Sequence, residues 1–461
     1  MLLGRRQVLG GMAALAAMPS RVGAQDVSES FRAQIADLQL LPEQYAKTRV
    51  WGFEGLMPGP EIRLQQGQRV RKRLINDLPD ATSTHWHGIR IDNDMDGVAG
   101  LTQAAVAPGD SFSYDFVAPD AGTFWYHAHN RSFEQVARGL YGALIVEEPT
   151  PPDVDREETL ILDDWRLDPD TAQISSDFGA PHDLSHAGRM GNFVGTNGVG
   201  NLSLGAKKNE RLRLRVINAS NARIFQLSLA GLEGWIVAVD GMPLPAPRPV
   251  TDEILLGSAQ RVDLIVDVTA DEGETAHLAR QERDGLFSQV AFNVSGTSSV
   301  QRRDAPAPLP RNNHPAIDLG SATRITLRME GGAMGGLRSA ILEGESQPMR
   351  NLMQAGKFWA FNGAIGGMDG EPLADVSLGQ PLLLEIVNDT VFPHAMHVHG
   401  MHFWEVQDDG TLGDYRDTTM IARGASREIA FVADNPGNWL IHCHMLSHAV
   451  SGMMTWMRVR A

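Results

Sequence analysis

Short runs of alternating apolar and polar residues, broken by Gly and Pro, recur from residue 25 onward, with few stretches of helical period. Three runs share one pattern: Val70-Arg71-Lys72-Arg73-Leu74-Ile75-Asn76-Asp77, Leu212-Arg213-Leu214-Arg215-Val216-Ile217-Asn218 and Leu382-Leu383-Leu384-Glu385-Ile386-Val387-Asn388-Asp389. Each is rich in strand-forming residues and ends on an Asn suited to a turn. A second motif, Phe116-Val117-Ala118-Pro119-Asp120-Ala121-Gly122, returns as Phe431-Val432-Ala433-Asp434-Asn435-Pro436-Gly437, and more faintly as Val266-Asp267-Val268 before Gly273. Repeats of this length predict three homologous all-β domains of the Greek-key sandwich type. Proline-rich linkers at Glu147–Pro152 and Asp304–Pro310 divide the chain into residues 25–150, 151–300 and 301–461.

Residues 1–24 carry a different pattern. Arg5-Arg6 precedes an apolar run from Val8 to Met18, too short to span a bilayer, and Val22-Gly23-Ala24 offers a small-residue cleavage site. Gly4-Arg5-Arg6-Gln7-Val8-Leu9 is similar to a twin-arginine export signal, with Val8 where Phe is commoner. The expectation is a periplasmic or secreted protein with no membrane segment once the signal is removed.

Charge and cysteine usage narrow the classes. The formal net charge is −16, and loss of Arg5, Arg6 and Arg21 with the signal makes the protein more acidic still, which argues against nucleic acid as a partner. Cys443 is the only cysteine, so no intramolecular disulfide forms. The expectation is a soluble monomer whose single sulfur serves another purpose.

The repeats place the histidines. Nine and eleven residues beyond the repeated Asn lie His85 and His87 in the first copy and His397 and His399 in the third. The middle copy has Leu227 and Leu229. Five and seven residues beyond the repeated Gly lie His127 and His129, then His442 and His444, with Leu278 and Arg280 between. On a strand, i and i+2 share a face at roughly 6.5–7 Å, which suits two ions side by side better than one. Eight imidazoles from the outer domains thus suit a cluster of about three metals. Cys443 points to the opposite face from His442 and His444, where His394, His448 and Met453 complete two nitrogens, a thiolate and a weak thioether. That is the ligand set of a blue-copper electron-transfer centre. His182, His186, His277, His314 and His402 have no ligand position in the repeats.

These motifs, His85-Trp86-His87-Gly88, Trp125-Tyr126-His127-Ala128-His129, His394-Ala395-Met396-His397-Val398-His399-Gly400 and His442-Cys443-His444 with His448 and Met453, resemble the four signatures of the three-domain multicopper oxidases, the laccase-like family. The resemblance spans the mature chain. Ala128 and Ala395 stand where many members have Pro, and neither is a ligand. It implies three cupredoxin-like domains and four copper ions. Type 1 copper falls to His394, Cys443, His448 and Met453, and type 2 to His85 and His397. One type 3 ion falls to His87, His127 and His444, the other to His129, His399 and His442. It also implies that a reducing substrate delivers single electrons near His394 or His448, that Cys443 relays them, and that dioxygen leaves as water. Asp96, in Asp94-Met95-Asp96-Gly97, matches a family acid near the cluster and is expected to relay protons or tune metal-bound water.

The donor is expected to be a phenol or related small aromatic molecule, with Cu(I) as the alternative. Met329, Met334, Met349, Met353 and Met368 could offer soft ligands to that ion. A non-enzymatic cupredoxin scaffold would be expected to have lost ligands, and a nitrite reductase would be a domain shorter. The glycine-rich stretch Gly188–Gly200 has no role legible in its sequence.

Overall fold

The computed structural model describes residues 29–461, and the expected export signal lies outside them. Strand dominates. Among the described residues the longest helix is Met349–Gln354, and no helix is long and apolar enough to cross a membrane.

The strands form three pairs of sheets, with one two-stranded hairpin, Ser339–Leu342 with Glu345–Pro348, in the last unit. In the first pair, Thr48–Phe53, Glu29–Leu38, Arg69–Asn76 and Ser111–Val117 lie side by side. Its second sheet runs Gly59–Gln65, Tyr141–Glu147, Gly122–Ala128, Thr84–His87. The middle pair has six and five strands between Arg156 and Thr297, and the last has six and five between Thr323 and Arg460. The three shared runs occupy one place in this plan. Arg69–Asn76, Arg211–Asn218 and Pro381–Asn388 each pair parallel with the first strand of their unit and antiparallel with a later one.

Each run ends for the same reason. The amides of Asn76, Asn218 and Asn388 each donate to two or more main-chain carbonyls across a turn, while their side-chain oxygens accept from the backbone two residues on. All three are buried, so each turn is fixed from inside.

Strand register then sets the histidines opposite one another. His85 pairs with His127, and His397 with His442. In the middle unit Leu227 pairs with Arg280 and Leu229 with Leu278, so the true counterpart of His127 is Arg280, two residues beyond the position counted from Gly273. The counting slips because the turn before that strand differs in length; the middle unit lacks ligands either way.

A cluster that includes Trp125, Tyr141, Trp165 and Ile217 joins the first unit to the middle, and another joins the two outer units. The latter runs from Phe31, Trp86 and Tyr126 to Trp359, Trp439 and Ile441, whereas Leu214, Leu264 and Phe292 belong to a core of the middle unit alone. The seam between first and middle units also carries buried charge. Buried Arg213 reaches Glu148 (2.6 Å) and Asp263 (2.6 Å), and buried Arg215 reaches Glu157 (3.1 Å) and Thr123 (3.0 Å). Guanidinium groups tolerate such burial when forked onto carboxylates.

Candidate metal centre

Strand Gly437–Cys443 and the turn after it build one half of the site. Cys443 Sγ lies 3.6 Å from His394 Nδ1 and 3.7 Å from His448 Nδ1, and those two nitrogens are 3.1 Å apart. His448 is brought there by the short helix Leu446–Val450, and His394 opens the neighbouring strand His394–Val398. The outer nitrogens are engaged: His394 Nε2 with Thr390 Oγ1 (2.8 Å), His448 Nε2 with the His186 carbonyl (2.7 Å). A carbonyl only accepts, so His448 carries its proton on Nε2 and turns a bare Nδ1 toward the sulfur. Burial holds His448 down to about 4 and His394 well below its ordinary range. It also pushes the Cys443 thiol up to about 12, against the pull of the Met445 and Ala395 amides, so a cation must displace the thiol proton to bind. Met453 is buried in the same apolar cluster, and its carbonyl accepts from the Cys443 amide at 3.0 Å.

The eight paired imidazoles converge on the other face. His87 stacks on His397 at 3.8 Å between centroids, and His85 lies 4.0 Å from His399. Six of the eight turn a nitrogen outward onto an oxygen, four onto carbonyls: His85 Nδ1 that of Asp96 (2.8 Å), His127 Nδ1 that of Ala128 (3.1 Å), His397 Nδ1 that of Asp417 (2.9 Å), His442 Nδ1 that of Cys443 (3.0 Å). His399 Nδ1 faces Asp96 Oδ2 (3.0 Å), and His87 Nε2 faces Asp417 Oδ1 (3.1 Å). Each such contact fixes a tautomer and leaves a lone pair pointing inward.

Inward, the nitrogens find no protein donor. His85 Nε2, His87 Nδ1, His129 Nε2 and His397 Nε2 are buried without a hydrogen-bond partner, and His399 Nε2 faces His442 Nε2 at 3.1 Å, lone pair to lone pair. Buried polar atoms are rarely left so. A cation between them removes both the repulsion and the missing bonds, so the residues fit soft or borderline metal ions. Burial, then the neighbouring rings, hold His127, His399, His442 and His444 well below their ordinary range, which keeps them neutral and able to ligate. The ligand atoms of His129, His399 and His442 lie within 4.8 Å of one another, as do those of His85, His397 and His399. His127 Nε2 and His444 Nε2 are 3.4 Å apart, with the His87 ring 5.0 Å from His444.

Two acids support this cluster. Asp96 caps the turn Asn93–Met95 and touches two rings at once: its carbonyl bonds His85 Nδ1, with Oδ1 3.1 Å from the same nitrogen, and its Oδ2 bonds His399 Nδ1 at 3.0 Å. Gly97 beside it has φ +84°, and a Cβ there would fall 1.8 Å from the Thr84 carbonyl oxygen. The second acid, Asp417, carried no sequence signal. It meets His87 and His397 and forks onto Arg261 of the middle unit (2.6 and 2.9 Å). Burial alone would raise Asp417, yet Arg261 with His87 and His397 holds it well below the usual carboxylate range. His402, 3.5 Å from Asp417, is buried with both ring nitrogens unpartnered.

Neither His394 nor His448 offers an edge at the surface: both are fully buried, and the segment around His186 covers His448. That segment leads into the glycine-rich stretch, where Gly188 packs against Ala222 and beside the His448 ring, leaving no room for a side chain.

Three family models described as multicopper oxidase match residues 34–151, 156–297 and 344–461. Multicopper oxidase MmcO of Mycobacterium tuberculosis is 31% identical over 444 residues, covering 87% of this chain and 82% of that protein. Laccase-1 of Botryotinia fuckeliana is 29% identical over 445 residues, covering 87% and 77%. The crystal structure of a multi-copper oxidase from Pseudomonas thermotolerans superposes with a TM-score of 0.81 at 31% identity, covering 93% of this chain and 98% of that one. The fold of three cupredoxin-like β-sandwiches and a histidine-rich metal centre define a copper oxidoreductase. The chain belongs to the multicopper oxidase family.

Proposed function

We propose that this chain is a laccase-like oxidase that takes single electrons from phenolic or related small aromatic donors and reduces dioxygen to water. The observation that carries this reading is the set of buried imidazole nitrogens with no protein partner, one strand residue away from a sulfur flanked by two more. In this reading His394, Cys443, His448 and Met453 hold type 1 copper, His85 and His397 type 2, and His87, His127, His444 with His129, His399, His442 the type 3 pair. Copper so held supplies one-electron redox chemistry and a place for dioxygen.

The chain's own residues do the rest. Cys443 lies in the main chain between His442 and His444, so the two donor sets share a covalent bridge one residue long. Asp96 and Asp417 orient the rings they touch, and Arg261 secures Asp417. Asp96 is also the proton relay, its carboxylate lying within hydrogen-bond reach of two rings of the cluster. The domain division at residues 150 and 300, the twin-arginine export to the periplasm or beyond, and the monomeric state belong to the same proposal.

Absorption and copper content of the loaded protein test it. A blue protein with about four coppers per chain is expected; a colourless one, or one with a single copper, refutes the assignment. A second reading, oxidation of Cu(I), draws on exposed thioethers at Met190, Met334 and Met353, whereas Met329 is fully buried and Met349 and Met368 are half-buried. Tight binding of Cu(I) by the oxygen-free, copper-loaded protein, lost when those three methionines become Leu, would favour it.

A further inference from the structure

Because His448 is sealed from solvent, a donor cannot touch it. The seal has its own chemistry. The His448 Nε2 proton points at the His186 carbonyl (2.7 Å), and the His186 ring stacks on that of His182, centroids 4.1 Å apart and planes 11° from parallel. His182 is exposed and His186 half-buried. The pair sits on and just after the helix Pro181–Ser185, which is anchored from the third unit: Trp359 Nε1 and Ser451 Oγ both donate to the Leu184 carbonyl (2.6 and 3.0 Å), and Ala333 N donates to that of Ser185 (2.6 Å). Ser185 Oγ bonds the His186 ring at Nδ1 (2.9 Å), fixing its plane.

Around this helix lie the only methionines that are strongly exposed among the described residues. Met190 follows His186 by four positions, Met334 follows Ala333, and Met353 precedes Gly356, which packs against Leu184. Met334 is held at φ +64° in a glycine-rich loop. Exposed thioethers on segments that follow or contact this helix suit a flat aromatic molecule, since sulfur favours ring edges.

We infer that electrons enter through this middle-unit helix: an electron-rich arene stacks on His182, and the His186 ring and carbonyl connect it to His448. The inference rests on the proposed aromatic-donor function. In each encounter a phenol loses one electron to the metal held by His394, Cys443 and His448 and releases its hydroxyl proton to water. Four such losses balance the four electrons and four protons that turn dioxygen into two waters. His182 is the residue the donor touches, and His186 positions it and bridges to the ligand.

The copper-loaded protein, reduced and oxygen-free so that its copper is diamagnetic, is titrated with para-nitrophenol, a phenol too electron-poor to serve as a ready donor. With histidine resonances assigned through His182→Ala and His186→Ala, ring-current shifts at those two imidazoles are expected; shifts only at other histidines would overturn the inference. Anaerobic bleaching of the blue band by a methoxyphenol should slow about tenfold in His182→Ala, equivalent to ~1.4 kcal/mol, and recover in His182→Phe. Bleaching by ferrocyanide, which needs no stacking, should stay within about twofold of wild type. An unslowed phenol reaction, or equal slowing of both reductants, would sink the proposal. If no phenol bleaches the wild type, the aromatic-donor reading fails, while the para-nitrophenol titration still decides whether His182 is a docking face.

Discussion

At the scale of single residues, Cys443 divides two functions that its neighbours keep apart. Replacing it with Ser removes the sulfur without disturbing His442 or His444, so Cys443→Ser should lose the blue absorption and turnover yet keep most of the copper bound by the paired histidines; metal analysis and spectra of one sample decide this. In the proposed assignment Met453→Leu removes a weak thioether contact at nearly constant volume and should raise the reduction potential of the blue centre, read by redox titration. Asp96→Asn keeps a hydrogen-bonding side chain but cannot carry a proton. Anaerobic bleaching by substrate should be normal, whereas reoxidation by dioxygen should slow by ~10²–10⁴-fold, the usual contribution of a positioned acid. A reoxidation rate within about twofold of wild type would reduce Asp96 to a ring support and turn former.

Turns and strands decide where those residues stand. Gly97→Ala would push a Cβ into the Thr84 carbonyl at a backbone angle that L-residues avoid, so the Asn93–Met95 turn must move and take Asp96 off His85 and His399. Strain of this kind costs roughly 1–3 kcal/mol, and the variant should show a lower melting temperature together with loss of copper from the histidine cluster while the blue band persists. Much of this level was legible in the sequence, because an alternating strand writes its two faces into every second residue and repeated Asn and Gly mark equal places in equal folds. Hence the His-x-His pairs and Cys443 could be read together. Asp417, Arg261 and His186 could not, for they act by proximity across units: Asp417 sits 330 residues from His87, and His186 meets His448 through its carbonyl, which every residue possesses. The same reason hid the cover over His448, since a main-chain contact leaves no mark on composition.

For the whole molecule, the charged seam between first and middle units gives a pH signature. Burial would raise Glu157, but Arg215 and Arg213 outweigh it and hold the carboxyl down to about 2. A depressed carboxyl stabilises the fold above its unfolded value near 4.5 and loses that contribution as pH falls toward 2. Glu157→Gln should therefore flatten the fall in melting temperature across that window while costing stability at neutral pH. The outer units depend on each other in another way. Asp96 reaches His399 across 303 positions of sequence, and each half of the cluster is useless without the other. Ions held between them fasten the beginning of the chain to its end, and every ion bound to the native form alone adds to the cost of unfolding. Stripping copper should thus lower the melting temperature and expose sites to protease first where the outer units meet. It follows that a ribosome still making the last hundred residues has produced only half a metal site, and that filling the cluster must wait for a finished, folded chain.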